Sequence, residues 1–276
     1  MFKPSFVAVI TDCWDENARA RQEVRISSLL DCPTGVYAVD SDLSAAGMLV
    51  DVLDASNGSP GFVFVNIAPR NGEASEKWEN GSPFGYLRYG DTRILATVDG
   101  YTLTLVRDIL GLDWCTIFNI PEVVNIGVQQ GFISKPSARD IPLSQFRSFD
   151  FLPRLAQLIV HEVALPTTQY SLCGAPSAFG RIWLLDNFGN AKTTLRPDQV
   201  DFNPGEKVLL AMGEVRCYCG LRQVSNGEPG LIIGSSGLEG QRFLELVIQG
   251  GSAARHFNLE VGSIVCNIPT PQGVSQ

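Results

Sequence analysis

At residues 185–190 the chain reads Leu185-Asp186-Asn187-Phe188-Gly189-Asn190. Gly tolerates a positive φ, and Asp and Asn favour turns, so this stretch by itself indicates a hairpin turn. A carboxylate, an amide and an aromatic face are also groups that can hold a small polar ligand. Two further pieces follow later in the chain: Gly234-Ser235-Ser236-Gly237 and Leu244-Glu245-Leu246-Val247-Ile248-Gln249-Gly250-Gly251-Ser252-Ala253-Ala254.

The composition excludes several classes of protein. The 276 residues carry a net charge of -8 without a cluster of Lys and Arg, so nucleic acid and anionic membranes are not expected partners. No apolar run approaches the roughly 20 residues that span a bilayer. Seven scattered cysteines indicate reduced thiols and a cytoplasmic protein. With only two histidines, no tetrahedral metal set is complete, and we expect no metal.

Hydrophobic periodicity changes along the chain. In the first half, buried strands alternate with helical spacing, which predicts an α/β, Rossmann-like domain with a mostly parallel sheet at residues 1–165. A linker is predicted at 166–177, where Pro and Gly are frequent. Short strands between Gly and Pro turns then predict a smaller all-β, antiparallel, barrel-like domain at 178–268, and 269–276 reads as a flexible tail.

Ligands in parallel sheets bind beyond the carboxyl ends of the strands. Asp12 follows the first predicted strand, and residues 68–72 follow a later one. A carboxylate at position 12 can accept two hydrogen bonds from a ribose diol. It can equally be the N-cap of the helix predicted from Asn17 onward.

The C-terminal pieces resemble the S-adenosylmethionine (SAM) hydroxide adenosyltransferases and the SAM-dependent fluorinases and chlorinases. In that family an Asp-x-Phe-Gly-Asn turn and a later Ser-rich turn hold the amino acid and adenine parts of SAM. The resemblance implies that SAM or a related adenosine compound is the ligand. The residues that it implies for binding are Asp12, Asp186, Phe188, Asn190, Ser235 and Ser236.

The N-terminal half departs from that family. Ala68 stands where the hydroxide-using members have the Asp of a water-activating Asp-Arg-His set, and Arg147 replaces its His. Asn71 and Ser148 fall where the fluorinases have halide-contacting Thr and Ser. Asp99 lies in an altered Pro-Asp-Asn-Gly segment. The candidate catalytic residues are therefore Arg70, Asn71, Asp99, Arg147 and Ser148.

Three hypotheses follow from this pattern. The first is a divergent family member that binds SAM or a related adenosine compound without the water-activating chemistry. The second is an active enzyme that displaces methionine at C5′ of SAM, either a SAM hydrolase that forms adenosine or a transferase to another anion. The third is an interaction protein that retains the fold alone. The resemblance also implies a homotrimer whose site lies between subunits.

Overall fold

The computed structural model describes residues 2–68 and 81–267. By its internal contacts the chain divides into two compact units, residues 1–176 and 177–276. Arg70 and Asn71, two of the predicted catalytic residues, lie outside the described residues, and so does the predicted tail at 269–276.

The first unit is built on one sheet. Its strands are β1 (Val7–Thr11), β2 (Thr34–Ala38), β3 (Gly61–Asn66), β4 (Phe84–Tyr89), β5 (Thr92–Thr97), β6 (Trp114–Phe118) and β7 (Thr167–Ser171). They lie in the order β2-β1-β3-β5-β4-β6-β7. The four strands β2, β1, β3 and β5 are parallel neighbours, whereas β4, β6 and β7 join antiparallel. The α/β fold with a parallel region is confirmed, and the four carboxyl ends share one edge.

Helices connect these strands. They are α1 (Glu16–Leu30), α2 (Asp42–Ser56), α3 (Thr104–Leu110), α4 (Ile120–Gln129), α5 (Lys135–Asp140), α6 (Arg147–Asp150) and α7 (Leu152–Val160). The first helix begins where it does because the Asp15 carboxylate accepts from the backbone N–H of Asn17 and Ala18, at 3.1 and 3.0 Å. Such a cap contributes about 1 kcal/mol. The N-cap role left open for Asp12 therefore belongs to Asp15.

Both faces of this sheet are covered. On one face, alternate residues of β1 and β3 such as Val9 and Phe64 join a core that includes Ile26 of α1 and Leu155 of α7. The opposite residues of the same strands are equally buried, as are most apolar side chains of α2. Each such side chain stabilises the fold by about 1.5–3 kcal/mol when fully buried. Because the core holds the strands in register, it also fixes the loops at their carboxyl ends.

The segment predicted as a linker, 166–177, differs from expectation. Its residues Thr167–Ser171 form the edge strand β7, which pairs along its length with β6. The rest of the segment is tied to α3, since Arg107 Nη1 donates to the carbonyls of Leu172 and Ala175 at 3.1 and 3.0 Å. An edge strand is mostly exposed, so its polar residues give no hydrophobic signal.

The second unit is a β domain, as the sequence predicts. It contains β8 (Ile182–Leu185), β9 (Ala191–Thr193), β10 (Lys207–Leu210), β11 (Gly213–Tyr218), β12 (Pro229–Leu238), β13 (Gln241–Ile248) and the short helix α8 (Ala253–His256). The strand order is β10-β11-β12-β13-β9-β8. Pairing is antiparallel except between β11 and β12, where Cys217 and Leu231 are partners in a parallel ladder. The predicted antiparallel pairing therefore holds for every strand pair of this sheet except β11 and β12.

Candidate functional site

A hollow opens at the carboxyl edge of the parallel strands. Its volume is about 460 Å³, within the range of small-molecule sites. Its lining residues come from the segments after β1 and β3 and before α6: Asp12, Cys13, Trp14, Asp15, Asn66, Ala68, Gln145 and Phe146. Carboxylates and amides stand beside two aromatic rings here, so the hollow offers both hydrogen-bond acceptors and stacking surfaces.

Asp12 is held in place by the neighbouring strand. Thr11 is the register partner of Asn66 in the β1–β3 ladder, so the residues that follow each of them emerge side by side. The backbone N–H of Ala68 donates to Asp12 Oδ2 at 3.1 Å. The carboxylate is half-buried and lies in the wall of the hollow.

The loop that carries Asp12 is fixed from within the unit. The N–H of Cys13 donates to Thr11 Oγ1 at 3.1 Å, and the buried Gln22 donates through Nε2 to the carbonyl of Cys13 at 3.1 Å. Asp15, at the end of this loop, is the N-cap of α1. Hydrogen bonds therefore hold the loop at both of its ends and at Cys13. A site whose loops are fixed in advance loses less conformational entropy when a ligand binds.

Two carboxylates in the wall of the hollow affect the Cys13 thiol. Burial, followed by the nearby carboxylates of Asp15 and Asp12, raises the pKa of the Cys13 thiol. Arg21 acts in the opposite direction. The thiol therefore stays protonated at neutral pH and is a poor nucleophile.

Arg147 and Ser148 directly follow the lining residues Gln145 and Phe146, but they are not in the wall of the hollow. The Arg147 guanidinium donates through Nη1 to the carbonyl of Ser82 at 2.7 Å and lies over the Phe84 ring, 4.9 Å from its centroid. Burial lowers its pKa. The Arg147 side chain thus contacts both Ser82, just before β4, and Phe84, the first residue of β4.

Ser148 is fully buried. Its Oγ makes no hydrogen bond within residues 2–68 and 81–267. A buried hydroxyl without a partner is unfavourable, so this atom is available to a ligand group that reaches it.

Asp99 follows β5 at the same sheet edge as Asp12, outside the wall of the hollow. The next turn is clamped to α2, because Asp42 Oδ2 accepts from the backbone N–H of Tyr101 at 2.8 Å. Gly100, with φ of 63°, passes so close to that carboxylate that a larger residue would collide with it.

The Asp186 turn in the second unit is self-contained. Asp186 Oδ1 accepts from the backbone N–H of Phe188 and of Asn190, each at 2.9 Å, and Oδ2 accepts from Asn190 Nδ2 at 2.9 Å. The carboxylate therefore builds the turn, and the ring of Phe188 points outward with 73% of its surface exposed. An exposed Phe at the tip of a rigid turn can receive a partner ring or an apolar surface.

The two C-terminal motifs meet at Gly189. Its φ is 84°, and a Cβ at this position would lie 2.1 Å from Ser252 Oγ. The backbone N–H of Ala254 donates to the carbonyl of Gly189 at 2.9 Å. The turn at 186–190 and the Gly-Gly-Ser-Ala-Ala run are thus parts of one structure.

The two predicted serines of β12 have different surroundings. Ser235 is exposed, whereas Ser236 is buried and its Oγ accepts from Lys192 Nζ at 2.7 Å. Lys192 lies on β9 opposite Glu245 of β13, itself only 7% exposed. Sequence reasoning missed this Lys and Glu, although charged residues inside two apolar strands are a signal that could have found them.

The resemblance in sequence also implies that six residues, 238–243, are inserted after the two serines. They form the end of the β12–β13 hairpin, in which Leu238 pairs with Gln241 around the turn at 239–240. These residues therefore lie in two paired strands and the tight turn between them.

Comparison with known proteins assigns the second unit. Residues 180–266 match the model of the SAM hydroxide adenosyltransferase C-terminal domain. This part of the chain belongs to that domain family. The resemblance seen in the sequence is thereby confirmed, and the Asp186 turn, Ser235, Ser236 and Ser252 all lie inside the matched SAM hydroxide adenosyltransferase domain.

Two solved structures share the fold over nearly the whole chain. One is an uncharacterized conserved protein from Thermotoga maritima, with a TM-score of 0.66 and 15% identity, over 94% of this chain and 100% of that one. The other is a conserved hypothetical protein from Thermus thermophilus, with a TM-score of 0.55 and 18% identity, over 94% and 97%. At these identities the likeness concerns the fold. Among curated proteins, none matches the chain.

Three further observations concern metal ligands, membrane spans and thiols. Within residues 2–68 and 81–267, no group of three or more His, Cys, Asp or Glu side chains could hold a metal ion. In the same residues, no helix is long and apolar enough to cross a membrane. All seven cysteines are free. In the close pair, Cys217 is buried and Cys219 is exposed, so the two thiols do not lie on one surface.

Proposed function

We propose that the protein binds SAM or a related adenosine compound, with Asp12 accepting hydrogen bonds from the ribose hydroxyls. One observation carries the proposal: a carboxylate fixed by Ala68 stands in a hollow at the carboxyl ends of parallel strands, in a chain with a SAM hydroxide adenosyltransferase domain. Trp14 and Phe146 supply ring faces beside it. In the second unit, the proposed contacts to the rest of the ligand are Asp186, Phe188, Asn190, Ser235 and Ser236.

Binding without efficient hydrolysis is the form that we favour. Displacement at C5′ of SAM releases neutral methionine, so the leaving group needs no acid. Water, however, needs a base, which is worth roughly 10²–10⁴ in rate. Ala68 carries no base, and the Arg147 guanidinium is bonded to Ser82, so neither can take the proton from water.

A second candidate is displacement by an anion that needs no base. The buried Ser148 hydroxyl favours it, because a donor without a partner among the described residues can hold a desolvated anion. In that reaction the anion forms a bond to C5′, and the C5′–sulfur bond breaks with its electron pair going to methionine. Arg70, Asn71 and Asp99 are the other residues proposed to serve this step.

Incubation with SAM tests both candidates. Titration calorimetry should show saturable binding of SAM, and chromatography should show little release of adenosine. Rapid formation of adenosine, or of a 5′-substituted adenosine with an added anion, would establish the second candidate. No binding at millimolar SAM would leave an interaction protein that retains only the fold. We further propose a homotrimer, to be checked by light scattering, and a cytoplasmic location, which the seven free thiols support.

A further inference from the structure

Two arginines of α1 stack on one ring beside the hollow, and a third arginine lies on α7, a helix that packs against α1. Arg21 and Arg25 lie four residues apart on α1 and so share a face of the helix, and Arg154 lies on α7. We call Arg21, Arg25 and Arg154 the arginine cluster. The guanidinium carbons of Arg21 and Arg25 are 4.3 and 4.1 Å from the centroid of the Phe149 ring. Both side chains therefore stack on the same phenylalanine.

Among the residues that the structure describes, no ion pair balances the charge of the arginine cluster. None of the three guanidiniums forms an ion pair with a carboxylate in the described parts of the chain. Burial, followed by the like charge of Arg25, lowers the pKa of Arg154, and Asp150 opposes that effect. Asp150 also accepts from Ser144 Oγ at 2.5 Å. In a chain with a net charge of -8, three such cations close together are unusual.

The donors of the cluster are also underused. Stacking occupies the faces of a guanidinium and leaves its N–H groups in the plane for bidentate contacts. Arg25 Nη1 is buried without a hydrogen-bond partner among the described residues, which is unfavourable. Arg154 donates through Nη1 to the carbonyl of Asp150 at 2.5 Å, which leaves its other donors for a ligand.

We propose that the arginine cluster binds a phosphate group. Three guanidinium forks require an acceptor with several oxygens and more than one negative charge, and phosphate offers both. A carboxylate has only two oxygens for the three forks. A bound phosphate also reduces the repulsion between the like charges of Arg25 and Arg154.

The phosphate site shares a residue with the hollow. Arg21 also lies over the Phe146 ring, 5.2 Å from its centroid, and Phe146 stacks with Phe149 at 5.4 Å. Because Phe146 is a wall of the hollow, phosphate bound to the cluster fixes that wall. The site itself does not require SAM, so it stands or falls independently of the proposed function.

Titration calorimetry at constant ionic strength tests the site, with inorganic phosphate and adenosine 5′-monophosphate as separate probes. We expect saturable phosphate binding that the double change Arg21→Gln/Arg25→Gln weakens about tenfold or more. Arg19→Gln is the matched control, because Arg19 is on the same helix but pairs with Glu16 and Glu23 at 3.9 and 3.6 Å. That control should bind phosphate like the unchanged protein.

Thermal unfolding of each variant shows whether it folds. Should the double variant not fold, Arg25→Lys serves instead, because it keeps the charge and loses the fork, and we expect weaker binding there too. If adenosine 5′-monophosphate binds more tightly than inorganic phosphate, the site binds the phosphate of a nucleotide. If inorganic phosphate binds more tightly, the site binds free phosphate. Absence of saturable phosphate binding, or an equal loss in Arg19→Gln, would overturn the proposal.

Discussion

The backbone N–H of Ala68 donates to the carboxylate of Asp12 at 3.1 Å, across the gap between the ends of β3 and β1. The side chain expected at position 68 from the resembled family is absent, yet the backbone there still orients Asp12. The orientation of the Asp12 carboxylate and the proposed activation of water are thus separable at position 68, because one depends on the main chain and the other on a side chain.

Asp12→Asn should therefore weaken SAM binding while the protein stays folded. Asparagine keeps an oxygen for the Ala68 N–H but loses the charge, and a hydrogen bond to a charged group contributes about 1.5–3 kcal/mol. Titration calorimetry measures the loss, which we expect to be tenfold or more at about 1.4 kcal/mol per decade. Asp108→Asn is the control, since that carboxylate pairs with Arg107 Nε at 2.7 Å on α3. Equal affinities of the two variants would contradict the assignment.

Gly189→Ala should destabilise the second unit more than an ordinary change at a positive φ. Its Cβ would lie 2.1 Å from Ser252 Oγ, and φ is 84°. Gly205 has a φ of 93° but nothing within 4 Å of the place that a Cβ would occupy, so Gly205→Ala isolates the cost of the dihedral, about 1 kcal/mol or more. Denaturant unfolding should give a clearly larger loss for Gly189→Ala. If both variants lose the same free energy of unfolding, the contact with Ser252 does not contribute to the cost.

Asp186→Ala should lower the free energy of unfolding, because three hydrogen bonds end on that carboxylate. We expect a loss of roughly 1–3 kcal/mol. Asp198→Ala is the comparison, since the exposed Asp198 pairs with Arg196 Nε at 3.3 Å and such surface pairs contribute about 0–1 kcal/mol. Chemical denaturation measures both. If Asp186→Ala leaves stability intact and abolishes SAM binding, the carboxylate serves the ligand and not the turn.

Thiol labelling at pH 8 should follow burial. Burial raises the pKa of Cys115 to about 12, so its thiol is protonated at pH 8 and inert to iodoacetamide. Cys173 and Cys219 are exposed and should react first. Asp15→Asn removes a carboxylate that raises the pKa of Cys13, so labelling of Cys13 should become faster. Peptide mass spectrometry resolves each site, and labelling of Cys115 before Cys173 would contradict the burial of Cys115.

The parallel strands β1, β3 and β5 were predictable because both of their faces are buried, which gives continuous apolar runs. Strand β4 was not, since it begins after Pro83 and its Arg88 lies outside the apolar pattern. Strand β7 was missed because an edge strand of Thr, Gln and Ser carries no hydrophobic periodicity. Pro and Gly nearby made the segment resemble a linker.

Some residues of the candidate site could likewise be predicted from the sequence, and others could not. Asp12 was predictable, because a polar residue that directly follows a buried strand lies at a sheet edge. The contact between Lys192 and Ser236 was not, since β13 lies between their strands and no spacing along the chain reveals it. The arginine cluster was missed for a similar reason, because its members come from two helices distant in sequence.

The fit of Gly189 beneath Ser252 has an evolutionary consequence. In homologous chains, a side chain at position 189 requires the backbone at 252 to move away, so the two positions should vary together. A designer who transplants the 186–190 turn into another β domain would have to carry the segment around 252 along with it.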